Sequence, residues 1–178
     1  MSDQMMGMVE QLEAHLNLRQ LEPHRHAPQV SGADFSSVSS DGAVWTVQIT
    51  RSLEGELTLL TSLLGGTYLT YTVSSELSEI QCPLEDLNIF AAETSDLMAP
   101  VQLQRSGHEL SLQVTGLAGD GDGLCLLLDE MHLMLRKTLG VAYLPWIQMA
   151  RGETDLDTAT LRFAAALVQF QELEGNTV

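Results

Sequence analysis

The chain has 178 residues, of which 44% are hydrophobic, and this is enough material for one hydrophobic core. Only 8 basic residues stand against 24 acidic ones, and the formal net charge of −16 disfavours nucleic acid and anionic lipid as partners. The apolar runs are shorter than the about 20 residues that cross a bilayer. The N-terminal segment has no basic leader, and Cys82 and Cys125 show no disulfide-framework spacing. We therefore expect a single cytoplasmic domain over residues 1–178, with no membrane or nucleic-acid partner.

The first half of the chain predicts a helix, a loop and a meander. Residues 3–21 have the apolar spacing of a helix, and residues 22–42, rich in Pro, Ser, Gly and Asp, are typical of a loop. A period of two then predicts three antiparallel strands, with turns at 53–56 and 65–66. The residues expected on the buried face are Trp45, Val47, Ile49, Leu57, Leu59, Leu63, Leu69, Tyr71 and Val73.

The middle of the chain predicts a helix, a hairpin and another helix. Pro83 is expected to open the second helix over 83–97, because proline is favoured in a first helical turn. A hairpin with its turn at 106–108 follows. The third helix is predicted over 124–139, with Asp122 as its cap and Gly140 as its end.

The last part of the chain predicts a linker and one more helix. Residues 140–154 are interpreted as the linker, and Thr154 and Asp157 are typical of a capping box for a helix over 155–173. The resulting order, α-βββ-α-ββ-α with an extra C-terminal helix, predicts an α+β fold in which helices cover an antiparallel sheet.

Metal and cofactor motifs are incomplete. The stretch GDGDG at 119–123 has Met131 where a calcium loop starting at Asp120 needs an acid, and it lacks the third glycine of a dinucleotide fingerprint. His24 and His26 are two residues apart, but no third ligand is nearby. We therefore expect no metal site and no cofactor.

The candidate catalytic side chains also lack a base or nucleophile partner nearby in the sequence. Cys82 precedes the second helix, where Glu85 and Asp86 oppose formation of a thiolate. His108 is predicted in a turn and His132 on the polar flank of the third helix, without a neighbouring base or nucleophile. The sequence therefore predicts no catalytic residues and a protein that is not an enzyme.

The third helix is unusual because apolar residues lie on two of its sides. One broad stripe is formed by the leucines and methionines that a core requires, whereas Leu126 and Leu133 lie on the opposite side among charged residues. Either the last helix or its linker covers this second apolar face, or a partner does. We predict cover within the chain, because the 140–154 linker is long enough for the chain to double back.

The order of elements resembles the class I type III secretion chaperone fold and the YbjN-like family of bacterial proteins. The stretch PLEDLNIFAAETSDLMAPVQLQRSGHELSLQVTGL, residues 83–117, carries the YbjN-like pattern: a helix, a strand, an SG turn and a second alternating strand before a Leu-rich helix. The resemblance covers about residues 3–139. The loop at 22–42 and the C-terminal extension 140–178 depart from the pattern of the secretion chaperones. These departures favour the YbjN-like family over a dedicated effector chaperone.

The resemblance implies a non-enzymatic module that binds a protein partner or client and forms a homodimer. The middle helix and its neighbouring strand would supply the interface, and the candidates by position are Leu84, Leu87, Phe90, Ala91, Val101 and Leu103. Two alternatives stay open: a sensor of a small apolar ligand, and a structural subunit of a larger assembly.

Overall fold

The sheet is the organising element of the fold. The computed structural model describes residues 3–26, 42–61, 66–118 and 121–175, with side chains over 4–26, 42–61, 66–118 and 123–169. Six strands form one antiparallel sheet in the order β1-β2-β3-β4-β6-β5, and helices pack on it. The predicted α+β class is confirmed.

The helices and strands alternate in short groups along the chain. The strands are β1 His24–His26, β2 Gly42–Thr50, β3 Leu53–Thr61, β4 Thr67–Glu76, β5 Val101–Ser106 and β6 Glu109–Ala118. The helices are α1 Asp3–Leu18, α2 Leu84–Leu97, α3 Gly121–Thr138, a π-helical turn Leu139–Tyr143, α4 Leu144–Ala150 and α5 Leu156–Gly175.

The chain divides into two compact units, and each is built from two separate stretches. Unit 1 comprises residues 1–73 and 113–134, and unit 2 comprises residues 74–112 and 135–178. The C-terminal extension predicted at 140–178 therefore belongs with 74–112, whereas the predicted core 3–139 is shared between the units. That the whole chain is a single domain stays a prediction.

Unit 1 buries one face of β2, β3 and β4. The register places Trp45, Leu57 and Tyr71 side by side across the three strands, and all three side chains are buried. Trp45 also donates its indole Nε1–H to Glu13 of α1 at 2.8 Å. The alternation seen in the sequence therefore selects the core face, as expected for strands with one covered side. Leu63, one of the predicted core residues, lies outside the described residues.

Unit 2 is closed by its C-terminal helices. α2 packs against β5, α4 and α5, and α5 also packs against the π-helical turn and α4. Trp146 of α4 donates its indole N–H to the carbonyl oxygen of Leu87 at 3.0 Å, and Tyr143 donates its hydroxyl to Leu110 O at 2.8 Å. Both aromatic side chains are thus buried with their polar groups bonded.

The predicted loop at 22–42 contains a strand. β1 pairs with β2 through three residues, His24 to His26, all of them exposed. A strand this short and polar has no periodicity to reveal it, because its position depends on pairing with a distant segment. Residues 27–41 of that predicted loop lie outside the described residues.

The first predicted hairpin turn was misplaced. The chain turns at residues 51 and 52, and residues 53–56 lie within β3. Gly55 suggested a turn, but its role is close packing: a Cβ there would lie 2.4 Å from Ile49 Cδ1 and 2.8 Å from Tyr71 Cε2. The predicted turn at 65–66 begins outside the described residues.

The predicted linker is wrong, since 139–150 is helical. The residues from Leu139 to Ala150 form the π-helical turn and α4, and most of their side chains are buried. Gly140 therefore does not end the helical path, and Pro145 is tolerated because it lies in the first turn of α4. The apolar residues of this segment lie on all sides of the helix and form no single apolar stripe. Their spacing in the sequence therefore did not distinguish the segment from a linker.

The predicted helix caps are corrected as well. Asp155, not Thr154, caps α5, because its Oδ1 accepts the Thr158 backbone N–H at 2.8 Å. Asp122 lies within α3, and its side chain is outside the described residues. Among the described helices, none is long and apolar enough to cross a membrane.

Candidate functional site

The candidate site is the outward side of α3 in unit 1. On its inward side, Leu124, Leu128 and Met131 are buried. Gly116 of β6 makes this packing possible, because a Cβ at that position would lie 2.5 Å from Leu127 Cδ1. α3 is therefore fixed closely against the sheet, and its opposite side is presented as a rigid surface.

Leu126 and Leu133 form an exposed line on that opposite side, which we name the α3 ridge. Their side chains are 69% and 54% exposed. They are seven residues apart, so they lie two helical turns apart on one line. The prediction that the last helix or its linker covers them is not met among the described residues, which leave both exposed. Within unit 2, α5 packs with α2, the π-helical turn and α4.

The ridge is flanked by an ion-paired carboxylate. Asp129 Oδ1 lies 2.9 Å from His15 Nε2, and its other oxygen accepts a hydrogen bond from Arg19. Burial raises the pKa of Asp129, but the hydrogen bonds from His15 and Arg19 outweigh it and hold the pKa below its usual value. Because this carboxylate is satisfied by α1, the polar flank helps to hold α1 against α3.

His132 of α3 contacts Tyr71 of the sheet. Its Nδ1 lies 3.0 Å from the hydroxyl oxygen of Tyr71, and the two rings stack at a centroid distance of 5.7 Å. Burial raises the pKa of Tyr71 above its usual range, so its hydroxyl stays protonated. The two rings therefore pack together in unit 1, and the Tyr71 hydroxyl has a hydrogen-bond partner.

The second face of the unit 1 sheet has a polar, largely uncharged centre. The residues between the core positions are partly exposed, and Val44, Thr58 and Thr70 lie side by side across β2, β3 and β4. Thr70 Oγ1 is 3.1 Å from Thr115 Oγ1 on β6. This threonine row was not anticipated, although the period of two along each strand already placed these residues on one face.

The predicted interface residues of the middle helix are mostly internal. Leu84 is 48% exposed, whereas the other five candidates are buried within unit 2: Leu87, Phe90, Ala91, Val101 and Leu103. Phe90 packs edge-on against Phe163 of α5, with ring centroids 6.1 Å apart. Only Leu84 is therefore available to a partner without opening the core of unit 2.

The remaining candidate histidines lie in β1 and in the turn between β5 and β6. His24 and His26 are exposed in β1, and His26 Nε2 is 2.6 Å from Thr46 Oγ1. His108 lies in the turn between β5 and β6, where its carbonyl accepts the Leu77 backbone N–H. The described part of the chain contains no cluster of three His, Cys, Asp or Glu side chains arranged to hold a metal.

The surroundings of Cys82 disfavour its thiolate form. Burial and the negative charge of Asp86 raise the pKa of its thiol. This agrees with the effect expected from the acidic first turn of α2, in which Glu85 and Asp86 lie. Neither Cys82 nor Cys125 forms a disulfide.

The GDGDG stretch lies at the start of α3. Its first two residues, 119 and 120, are outside the described residues, and the rest begins the helix.

Comparison of the chain with protein-family models, with curated proteins and with solved structures found no match.

Proposed function

We propose that this chain is a non-enzymatic protein-binding module, and that the α3 ridge is the surface that contacts its partner or client. The observation that carries the proposal is the exposure of Leu126 and Leu133 on a helix whose opposite side is fixed in the core. Paired large apolar residues that the described part of the chain leaves uncovered are typical of a surface used in association.

Burial of the α3 ridge would supply only part of the binding free energy of a protein–protein interface. Full burial of a leucine side chain contributes about 1.5–3 kcal/mol, so covering the exposed parts of both side chains contributes about 2–4 kcal/mol. That corresponds to a change of about 30- to 700-fold in Kd. The remaining affinity comes from the charged flanks, and a chain with net charge −16 favours a basic or incompletely folded partner.

The order of elements supports the assignment to a chaperone-like protein. A helix, a meander, a helix, a hairpin and a further helix occur in the order that resembles class I type III secretion chaperones and YbjN-like proteins. β1, α4 and α5 are additions to that pattern. We propose a cytoplasmic location because a reducing compartment suits a chain in which neither Cys82 nor Cys125 forms a disulfide.

Photo-crosslinking tests the ridge directly. A benzoylphenylalanine placed at position 126 or 133, expressed in the native cell, should form a covalent adduct of discrete mass with a partner protein. The matched control is the same residue at Glu10, an exposed position of α1. Adding Leu133→Glu to the variant that carries the crosslinker at 126 should remove the adduct, because it places a charge in the apolar contact.

The outcomes separate the open alternatives. Covalent adducts with several different proteins support a client-binding module, and an adduct with a single protein that also copurifies at fixed stoichiometry supports a structural subunit. Equal crosslinking at Glu10, or none at 126 and 133, would refute the ridge as a binding surface.

Homodimerisation is a separate part of the proposal, and Leu84 is the position that tests it. Phe90→Glu is unsuitable, because Phe90 is 1% exposed and its substitution would unfold unit 2. Leu84→Glu changes the surface of α2 without entering the core. Sedimentation equilibrium at micromolar concentration should show a dimer that Leu84→Glu weakens, and a wild-type monomer of 19.4 kDa would exclude it.

The absence of catalysis is tested by substitution at the isolated side chains. Alanine at His24, His26 or Cys82 should leave the biological activity unchanged, because the described residues place none of them in a cluster of three His, Cys, Asp or Glu side chains that could hold a metal. Loss of activity in one of these variants, with an unchanged circular dichroism spectrum, would reveal an active site and contradict the proposal.

A further inference from the structure

The charges beside the α3 ridge change sign along the helix. Asp129 and Glu130 lie one turn before Leu133, and Arg136 and Lys137 lie one turn after it. Arg136 and Lys137 are the only two consecutive basic residues in a chain with 8 basic and 24 acidic residues. The helix dipole favours cations in a last turn, but it does not require them beside an exposed leucine. This part of α3 is therefore balanced in charge, unlike the chain as a whole.

An acid and a base lie on the same flank of the ridge. At about 100° per residue, Glu130 and Lys137 lie on one side of the line that joins the two leucines, about 40° and 20° from Leu126. Glu130 is exposed and Lys137 is partly exposed. Asp129, on the other flank, is already hydrogen-bonded by side chains of α1. A molecule that covers the leucines therefore meets first a negative and then a positive charge on one flank.

We propose that the partner on the α3 ridge is a second copy of this chain, bound with its α3 antiparallel to the first and with the two-fold axis at Leu133. A two-fold interface must be complementary to itself. The axis places each residue opposite the one that is equally far from Leu133 in the other copy, so Glu130 comes within one residue of Lys137 of the second copy. Two ion pairs then flank the contact between the two Leu133 side chains.

The same charges disfavour the other ways of pairing two ridges. A parallel pair would place Glu130 against Glu130 and Lys137 against Lys137. An antiparallel pair that packs Leu126 on Leu133 would bring the two Glu130 side chains together. Like charges in contact oppose association in both arrangements. In the proposed register Leu126 reaches Gly140 of the second copy, an exposed residue at which even a Cβ would meet no atom within 4 Å.

The net charge of the chain opposes this contact only at long range. Two copies with a formal charge of −16 repel each other, but at physiological ionic strength this repulsion is screened beyond about 8 Å. The ion pairs act at contact distance, where screening is weaker. A second copy is therefore repelled less at the α3 ridge than it would be at a uniformly acidic surface.

The inference rests on the proposed function, because it names the partner of the same surface. The contact proposed on α2 is tested separately, so every chain assayed for ridge pairing carries Leu84→Glu. A dimer that forms in this background does not depend on Leu84. Adding Leu133→Glu should then lower the dimer affinity at least about a hundredfold, because it places two like charges at the two-fold axis.

Disulfide trapping tests the register of the two helices. With Cys82→Ser and Cys125→Ala in the same chain, Leu133→Cys should give a linked dimer of twice 19.4 kDa on oxidation with copper phenanthroline. Helix axes about 8–10 Å apart bring facing Cα atoms within the range that a disulfide spans. Leu126→Cys is the matched control, because its two copies lie about 21 Å apart along the helices and should stay unlinked.

Charge reversal tests the ion pairs by sedimentation equilibrium. Glu130→Lys and Lys137→Glu should each weaken the dimer by about threefold to thirtyfold, because each change turns two ion pairs into two contacts between like charges. The chain that carries both changes should regain the original affinity, since the pairs form again with their signs exchanged. Glu93→Lys, at an exposed position of α2, makes the same change in net charge and should not weaken the dimer.

The outcomes separate this inference from the proposed function. A photo-crosslinker at 126 or 133 that links a different protein, and gives no adduct of twice the chain mass, would keep the ridge as a binding surface and exclude the second copy as its occupant. No adduct of any kind would refute the ridge itself. If circular dichroism shows that Lys137→Glu does not fold, the disulfide comparison decides. No linkage of Leu133→Cys, or equal linkage of Leu126→Cys, would overturn the proposal.

Discussion

The docking of α5 in unit 2 gives a quantitative prediction through Phe163. This side chain is 4% exposed and packs edge-on against Phe90. Truncating a buried phenylalanine to alanine removes its transfer free energy and leaves a cavity, at a cost of about 3–5 kcal/mol. The edge-on aromatic pair accounts for about 0.5–1.5 kcal/mol of that cost. Phe163→Ala should therefore lower the free energy of unfolding of unit 2 by about 3–5 kcal/mol.

The assay can be confined to unit 2 because each unit contains one tryptophan. Trp45 lies in unit 1 and Trp146 in unit 2. In a Trp45→Phe background, urea unfolding followed by fluorescence reports on Trp146 alone. With an m value of about 2 kcal/mol per molar of urea, the midpoint should fall by about 1.5–2.5 M.

A matched control on the same helix makes this result specific. Leu161 is 71% exposed, so Leu161→Ala should change stability by no more than about 0.5 kcal/mol. A loss below about 1 kcal/mol for Phe163→Ala, similar to that of Leu161→Ala, would refute the conclusion that α5 completes the core of unit 2.

Three further predictions follow from the contacts described. The pKa of Asp129 is lower in the folded chain than in the unfolded chain, so the charged carboxylate stabilises the fold. This contribution to the free energy of unfolding is present above the unfolded pKa of about 3.9 and is lost as the pH falls through the folded pKa. In urea titrations, Asp129→Asn should cost up to about 1 kcal/mol near neutral pH and nothing at about pH 2; a pH-independent cost would contradict this. His132→Ala should cost about 1–3 kcal/mol in thermal or urea unfolding, because the buried Tyr71 hydroxyl loses its partner, and an unchanged midpoint would show that the bond contributes nothing. Truncation after Gly140 removes Trp146 and the other buried residues of α4 and α5, so Leu87 amide protection in hydrogen exchange should collapse; retained protection would show that unit 2 folds without them.

Part of the candidate site was already specified by the sequence. The helical spacing placed Leu126 and Leu133 opposite the core side of α3, because a period of 3.6 residues assigns every position to a face. What covers that face depends on residues far away in sequence. The same limit applied to α2, whose apolar stripe resembled a dimer interface but is covered by α4 and α5 of its own chain.

The sequence by itself determined the α+β class, the meander and the positions of α1, α2, α3 and α5, because each of these depends on local spacing of apolar residues. Tertiary structure alone decided the pairing of β1, the helical path from Leu139 to Ala150 and the division into two units. The spacing of apolar residues shows which side of a helix or strand is buried, but not which other element packs against that side. That choice is made by long-range packing, and it left Phe90 inside the chain and Leu126 on its surface.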